Sequence, residues 1–169
     1  MNKNVIKVNP STVVDNALES ISGKLHRALN ELLTNCDDIY SKLEQQNKNV
    51  SGDIEIEFLR KNRSGKILIR DFAEGFSKEN FEKSVKNYGV RTSAHFKGYD
   101  VRGAWSRGLK EAIIALGEGI IHSINGDNYI KCKVWVDEKR VPRADDEHFK
   151  VTNKIRNKIG IKKGNGLLI

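Results

Sequence analysis

Residues 27–40 read RALNELLTNCDDIY, and their spacing decides what kind of fold the chain makes. Leu29, Leu32, Cys36 and Ile39, with Leu25 before them and Leu43 after, recur at helical spacing, so a long amphipathic helix is predicted. Along one border of its apolar face run Glu31, Asn35 and Asp38, at i, i+4 and i+7. Each alone reads as a solvated flank. Three short polar groups in line, none of them Lys or Gln, instead form a wall.

Reading outward, the text alternates between helix and strand periods. A first helix is expected after Pro10, with Ser11 as N-cap, covering Val13 to Ile21 and separated from the second by Gly23. Residues 53–58, DIEIEF, alternate with period two, and turn residues at 61–65 lead into KILIR at 66–70, which together predict an antiparallel hairpin. DFAEGFS breaks that strand, and Ser77 with Asn80 three residues on opens a short helix to about Tyr88. Residues 89–108 hold Gly89, Gly98, Gly103 and Gly108 with little apolar periodicity, as a long functional loop does. Leu109, Ala112, Ile113 and Leu116 define a helix, followed by a hairpin of 119–124 and 129–136 about an Asn125-Gly126 turn, with Ile130, Cys132, Val134 and Val136 as its core face. Residues 137–163 are charge-rich and weakly patterned, and GNGLLI at 164–169 starts a strand. The chain therefore reads as one domain, the N-terminal piece of a longer protein with its last strand cut near 169. Its expected fold is an α/β two-layer sandwich, with a mostly antiparallel sheet and helices on one face.

Composition narrows the class. A chain of 169 residues buries a core without staples, and Cys36 and Cys132 have no C-x-x-C spacing, so a reduced cytoplasmic protein is expected. No apolar h-region opens the sequence and no run approaches the roughly 18 apolar residues of a membrane span, so no membrane partner is expected. The net charge of +8, with basic text at Lys139, Arg140, Arg143 and 154–163, keeps a nucleic-acid-binding module open as an alternative class. His26, His95, His122 and His148 are scattered over different segments and read as structural or surface residues.

The polar wall has a specific chemical capacity. A carboxylate takes a proton from water, and an amide oxygen one turn away ligates a hard cation such as Mg²⁺, which keeps most of its own waters and shares substrate phosphates. That pairing suggests nucleotide hydrolysis. The apolar strand at 67–69 ends directly in Asp71, with Gly75 four residues on; an Asp there can accept from an exocyclic amine, and a Gly admits a flat base. Finally, GAWSRGLK at 103–110 puts glycines before a helix whose free N–H groups can bind phosphate.

In this order the three segments resemble the GHKL ATPases, the Bergerat-fold family of gyrase B subunits, heat-shock ATPase chaperones, histidine kinases and MutL mismatch-repair proteins. ELLTNCDD resembles the family's E-x-x-x-N-x-x-D box, IRDFAEGFS its D-x-G-x-G box, RGAWSRGLKEAI its G-x-x-G-x-G-[LF] box after the nucleotide lid, and GNGLLI its last strand motif. The resemblance implies ATP and Mg²⁺ as ligands. It implies Glu31 as general base, Asn35 as Mg²⁺ ligand, and Asp38 at the nucleotide-facing edge of the same helix. It further implies Asp71 as reader of the adenine amine, Gly75 beside the base, and Gly103, Ser106, Gly108 and Leu109 near the phosphates, with Lys110 as an extra phosphate contact. Residues 89–108 would be the lid. A Glu at 31 is similar to the hydrolytic MutL, chaperone and MORC-like branch, in which slow hydrolysis drives lid closure and ATP-dependent homodimerisation. Ala73, Ser106 and Leu167 depart from the family pattern, which keeps a non-hydrolysing ATP-binding scaffold open as a further alternative.

Overall fold

The computed structural model describes residues 9–46, 48–49, 52–61, 64–87 and 107–169. Helix α1 (Pro10–Ile21) is capped by Asn9, whose side chain accepts from the Ser11 amide at 3.1 Å, with Pro10 in the first turn. This corrects the expected Ser11 cap: proline lacks an N–H and has a helix-ready φ, so the cap falls one residue before it. Ser22 and Gly23 take left-handed φ and turn the chain into α2 (Leu25–Gln45), where Leu32, Cys36, Ile39 and Leu43 are buried as the periodicity predicts; Leu25, in the first turn, is exposed and Leu29 only half-buried, and Ala28 takes the buried place at that end of the face.

Strands β1 (Ile54–Lys61) and β2 (Ser64–Asp71) form the first hairpin, pairing Ile54 with Asp71 and Ile56 with Ile69. Ser77 caps the short α3 (Lys78–Phe81) through the Asn80 amide at 3.2 Å, and the helix continues as a π-helical turn over Glu82–Lys86. Helix α4 (Arg107–Leu116) follows, then the hairpin β3 (Glu118–Asn125) and β4 (Asn128–Val136). The stretch 137–163, which shows little pattern, contains a further strand β5 (Pro142–Lys150) and helix α5 (Asn153–Ile159). β5 is hard to foresee because PRADDEHFK carries no apolar alternation; it is an exposed edge strand held by backbone pairing to β4.

The six strands form one antiparallel sheet in the order β1-β2-β6-β3-β4-β5, with β6 (Gly166–Leu168) inserted between the two hairpins. Side chains alternate across it. Ile69, Ile121, Ile130, Cys132, Val134 and Leu167 face α1, α2 and α4 and make the main core, whereas Ile124, Tyr129 and Leu168 meet Ile159 and Ile161 on the other side. The result is the expected two-layer α/β arrangement, with α5 as a small cover on the outer face. Among the described residues, no helix is long and apolar enough to cross a membrane.

Phe81 joins the helical layer to the sheet: it is fully buried, with its ring edge-on to Phe76 at 5.9 Å and to His148 at 5.8 Å. Phe81→Ala should therefore lower urea-unfolding stability by about 3–5 kcal/mol. Phe58→Ala, at a position 64% exposed, should change it by less than about 0.5 kcal/mol in the same assay.

Candidate functional site

The α2 stripe is where the sequence places it, but its members differ in environment. Glu31 is exposed, whereas Asn35 and Asp38 are buried. The Asn35 amide nitrogen donates to the Glu31 carbonyl at 2.6 Å, so cation ligation would fall to the amide oxygen. The first turn of α4 rests on this stripe: a Cβ at Gly108 would overlap the Glu31 carboxylate and stand 3.6 Å from the Asn35 amide nitrogen. Glu31, Asn35 and the helix start at Gly108 are thus one neighbourhood, joined from two distant parts of the sequence. Leu109 sends its side chain into the core and is fully buried.

Asp71, at the end of β2, is fully buried on the same side of the sheet. Its Oδ1 accepts from the Ala73 amide at 3.0 Å; its Oδ2 makes no well-formed hydrogen bond among the described residues, although the Cys36 thiol and the Leu167 amide lie close enough to the carboxylate to favour its charged form. Burial pushes its pKa up to about 6, against the opposing pull of the Ala73 amide and of the nearby Cys36 thiol and Leu167 amide. Cys36 follows Asn35 on α2, so the polar stripe and the strand-end carboxylate meet along one helix. The Cys36 thiol is itself pushed up, first by burial and then by the Asp71 charge.

The turn after Asp71 is fixed by the rest of the fold. The Tyr40 hydroxyl donates to the Asp53 carbonyl at 2.6 Å and accepts from the Phe72 amide at 2.9 Å, clamping α2 to both strands of the first hairpin. The Phe76 amide donates to Ser123 Oγ at 2.6 Å, the Asn125 amide to the Glu74 carbonyl at 2.8 Å, and Lys42 pairs with Glu74 at 2.6 Å. Gly75 has φ +64°, and a Cβ on it would overlap the Ile124 carbonyl. The fold itself therefore requires this glycine, because its free face is taken by β3. Ala73 is not among the positive-φ residues, so alanine serves here without backbone strain. Sequence reading missed Tyr40, Ser123 and Asn125, whose partners lie tens of residues away with no local signal.

Other expected residues are placed apart or not described. Gly103 and Ser106, with 89–106 of the expected lid, lie outside the described residues. Lys110 donates to the Asn87 carbonyl, and burial pushes its pKa down to about 8. It lines a cavity of about 850 Å³ between α1, the π-turn, α4 and β5, walled by Val13, Val85, Ile114, Val134 and Pro142 and sharing none of Glu31, Asn35 or Asp71. Glu82, Asp146 and His148 also converge near the π-turn. Asp146 there accepts from His148 at 2.6 Å and pairs with Lys86 at 2.9 Å, so that group is already internally compensated.

The raised Asp71 pKa makes stability depend on pH. The folded protein keeps this proton to higher pH than the unfolded chain, whose ordinary value is 3.8. The stabilising contribution is full below about pH 4 and is lost as pH rises through about 6. Urea unfolding from pH 4 to pH 7 should show roughly 2–3 kcal/mol of stability lost to this group in the wild type. Asp71→Asn should lack that component, and identical pH slopes for both proteins would refute the assignment. Comparison with models of known protein families gives no match to the chain, and a search of curated proteins gives none either.

Proposed function

We propose that this domain binds ATP with Mg²⁺ and hydrolyses it slowly, in the manner of the GHKL family that its motifs resemble. One observation carries the reading: Asp71 Oδ2 is a buried acceptor with no well-formed hydrogen bond among the described residues. An unsatisfied buried carboxylate oxygen costs free energy, and a nucleobase amine is the kind of donor that relieves it. Its neighbours add support, since a site one helical turn along α2 combines Asn35 with the exposed Glu31 carboxylate beneath the first turn of α4.

Each residue then has a definable task. Asp71 holds the adenine amine. Asn35 would hold Mg²⁺ through its amide oxygen, the ion supplying charge neutralisation at the phosphates when bound. Glu31, solvent-exposed, takes the proton of the attacking water, and the first-turn N–H groups at Gly108 and Leu109 meet phosphate oxygens. Asp38 lines the same wall, one turn beyond Asn35. Ala73 and Leu167 leave Asp71, Asn35 and Glu31 in place, which favours hydrolysis over a purely scaffolding role. Coupling of ATP to homodimerisation belongs to the same proposal.

Calorimetric titration with ATP and a non-hydrolysable analogue, with and without Mg²⁺, tests this directly. Wild type should bind ATP and not GTP, and Asp71→Asn should weaken binding by more than about tenfold, as loss of a charged hydrogen bond implies. Glu31→Ala should keep affinity while abolishing phosphate release, and Asn35→Ala should remove the Mg²⁺ dependence. No heat from wild type at millimolar nucleotide, or equal affinity for GTP, would overturn the reading.

A further inference from the structure

The net charge of +8 is not spread over the molecule. Residues 150–163 carry six Lys and Arg side chains and no Asp or Glu, leaving a net charge of only two on all the rest. Elsewhere, Lys42 pairs with Glu74, Lys83 with Glu79, Lys86 with Asp146, Lys131 with Glu147 and Lys133 with Glu118, and exposed lysines such as Lys24, Lys78 and Lys139, which form no ion pair among the described residues, are scattered along the sequence. Lys150, Lys154, Lys158, Lys162 and Lys163 are all exposed, and none forms an ion pair among the described residues.

The fold holds the cations from Lys154 onward in a fixed array, Lys150 lying at the end of β5 on the other sheet face by its register with Asn128. Thr152 caps α5 through the Ile155 amide at 3.3 Å, and Ile155 and Ile159 dock on the outer face of the sheet in the cluster that includes Leu68, Phe72 and Leu168. Lys154 and Lys158, at i and i+4, are left exposed, an arrangement that repels itself without a polyanion. Arg156 donates to the Ile161 carbonyl at 3.3 Å and the Gly164 carbonyl at 2.8 Å, tying down the turn that carries Lys162 and Lys163. Strand alternation puts this array on the sheet face opposite the Asp71 wall, since Leu68 and Leu168 point to α5 while Ile69 and Leu167 point to α2 and α4.

We propose that the α5 surface binds the phosphate backbone of duplex DNA, on the face opposite the candidate nucleotide site. Residues 150–169 contain no aromatic side chain, and Phe149 at the border of this face is already stacked on Tyr129 at 6.1 Å, so the surface has no series of rings on which successive unstacked bases could rest. The apolar side of α5 is already buried against the sheet, so it has no face to insert into a lipid surface. Backbone contacts by lysine make binding indifferent to sequence and steeply dependent on salt.

Fluorescence anisotropy with a labelled duplex of about 20 base pairs, from about 50 to 200 mM KCl, tests the proposal. Lys154→Glu/Lys158→Glu/Lys162→Glu should weaken binding by roughly thirtyfold or more at the lowest salt and reduce the log–log salt slope by about 2–3, near 0.9 per lost phosphate contact. A control with the same change of net charge, Lys24→Glu/Lys78→Glu/Lys139→Glu, should stay within about threefold of wild type. Thermal melts establish that both variants fold, and the matching Lys→Gln triple repeats the test if the reversal does not. Asp71→Asn should bind DNA as wild type does, so the outcome is separate from that of the ATP titration. Absence of wild-type binding at the lowest salt, or equal loss in the control, would overturn the proposal, as would preference for acidic vesicles or single-stranded RNA over the duplex.

Discussion

The Asp71 carboxylate sits out of water at the end of β2, and much of the surrounding structure follows from keeping it there. Withdrawing a carboxylate from water without a full set of donors costs several kcal/mol, and the group responds by holding its proton to about pH 6. Ala73 supplies one donor, and Leu167 and Cys36 crowd the same corner. Such an arrangement persists only if neighbouring elements leave it no freedom to swing into solvent. Tyr40, reaching from α2 to both Asp53 and Phe72, and Ser123 and Asn125, reaching from β3 to the following turn, remove that freedom.

The same rigidity decides which positions of this turn must be glycine. The glycine at 75 is needed because β3 presses on it, whereas the residue at 73 lies in ordinary backbone space and can be alanine. A glycine can thus be kept by packing alone, without any ligand touching it. The two sheet faces also divide the chemistry: acidic and amide groups gather under the helical layer, whereas unpaired lysines gather on and beside α5.

Local periodicity made most of the scaffold readable. The 3.6-residue repeat of α2 and the period-two text of β4 express one-sided burial, so most of their core residues followed from spacing, whereas β1 alternates in sequence yet leaves Ile56 and Phe58 exposed. The approach of Gly108 to Glu31, the insertion of β6 between two hairpins, and the edge strand β5 were not readable in that way. β5 is held by backbone hydrogen bonds that any sequence can make, and its charged side chains carry no burial pattern. Of the site, Glu31, Asn35 and Asp71 stood out as residue types in an unusual setting, but the burial of Asp71 Oδ2 is a property of tertiary structure alone. Lys110 was legible as a lysine in the right helix and not as one turned to Asn87, because one residue of rotation on a helix changes the partner entirely.

The position of β6 also bears on how the molecule is assembled in time. β1 with β2, and β3 with β4 and β5, are neighbours in sequence and can zip locally. Among the described residues, the strand-to-strand join between them is made by β6, where Leu167 meets both Asp71 and Ser123, and by Ile169, which exchanges backbone bonds with Ile69. Closing a loop of nearly a hundred residues is entropically slow, so two partly formed half-sheets should precede the complete one, each showing a bare edge to solvent. A nascent chain would pass through that stage before β6 has been made, and chaperone binding or misassociation would concentrate at those two edges.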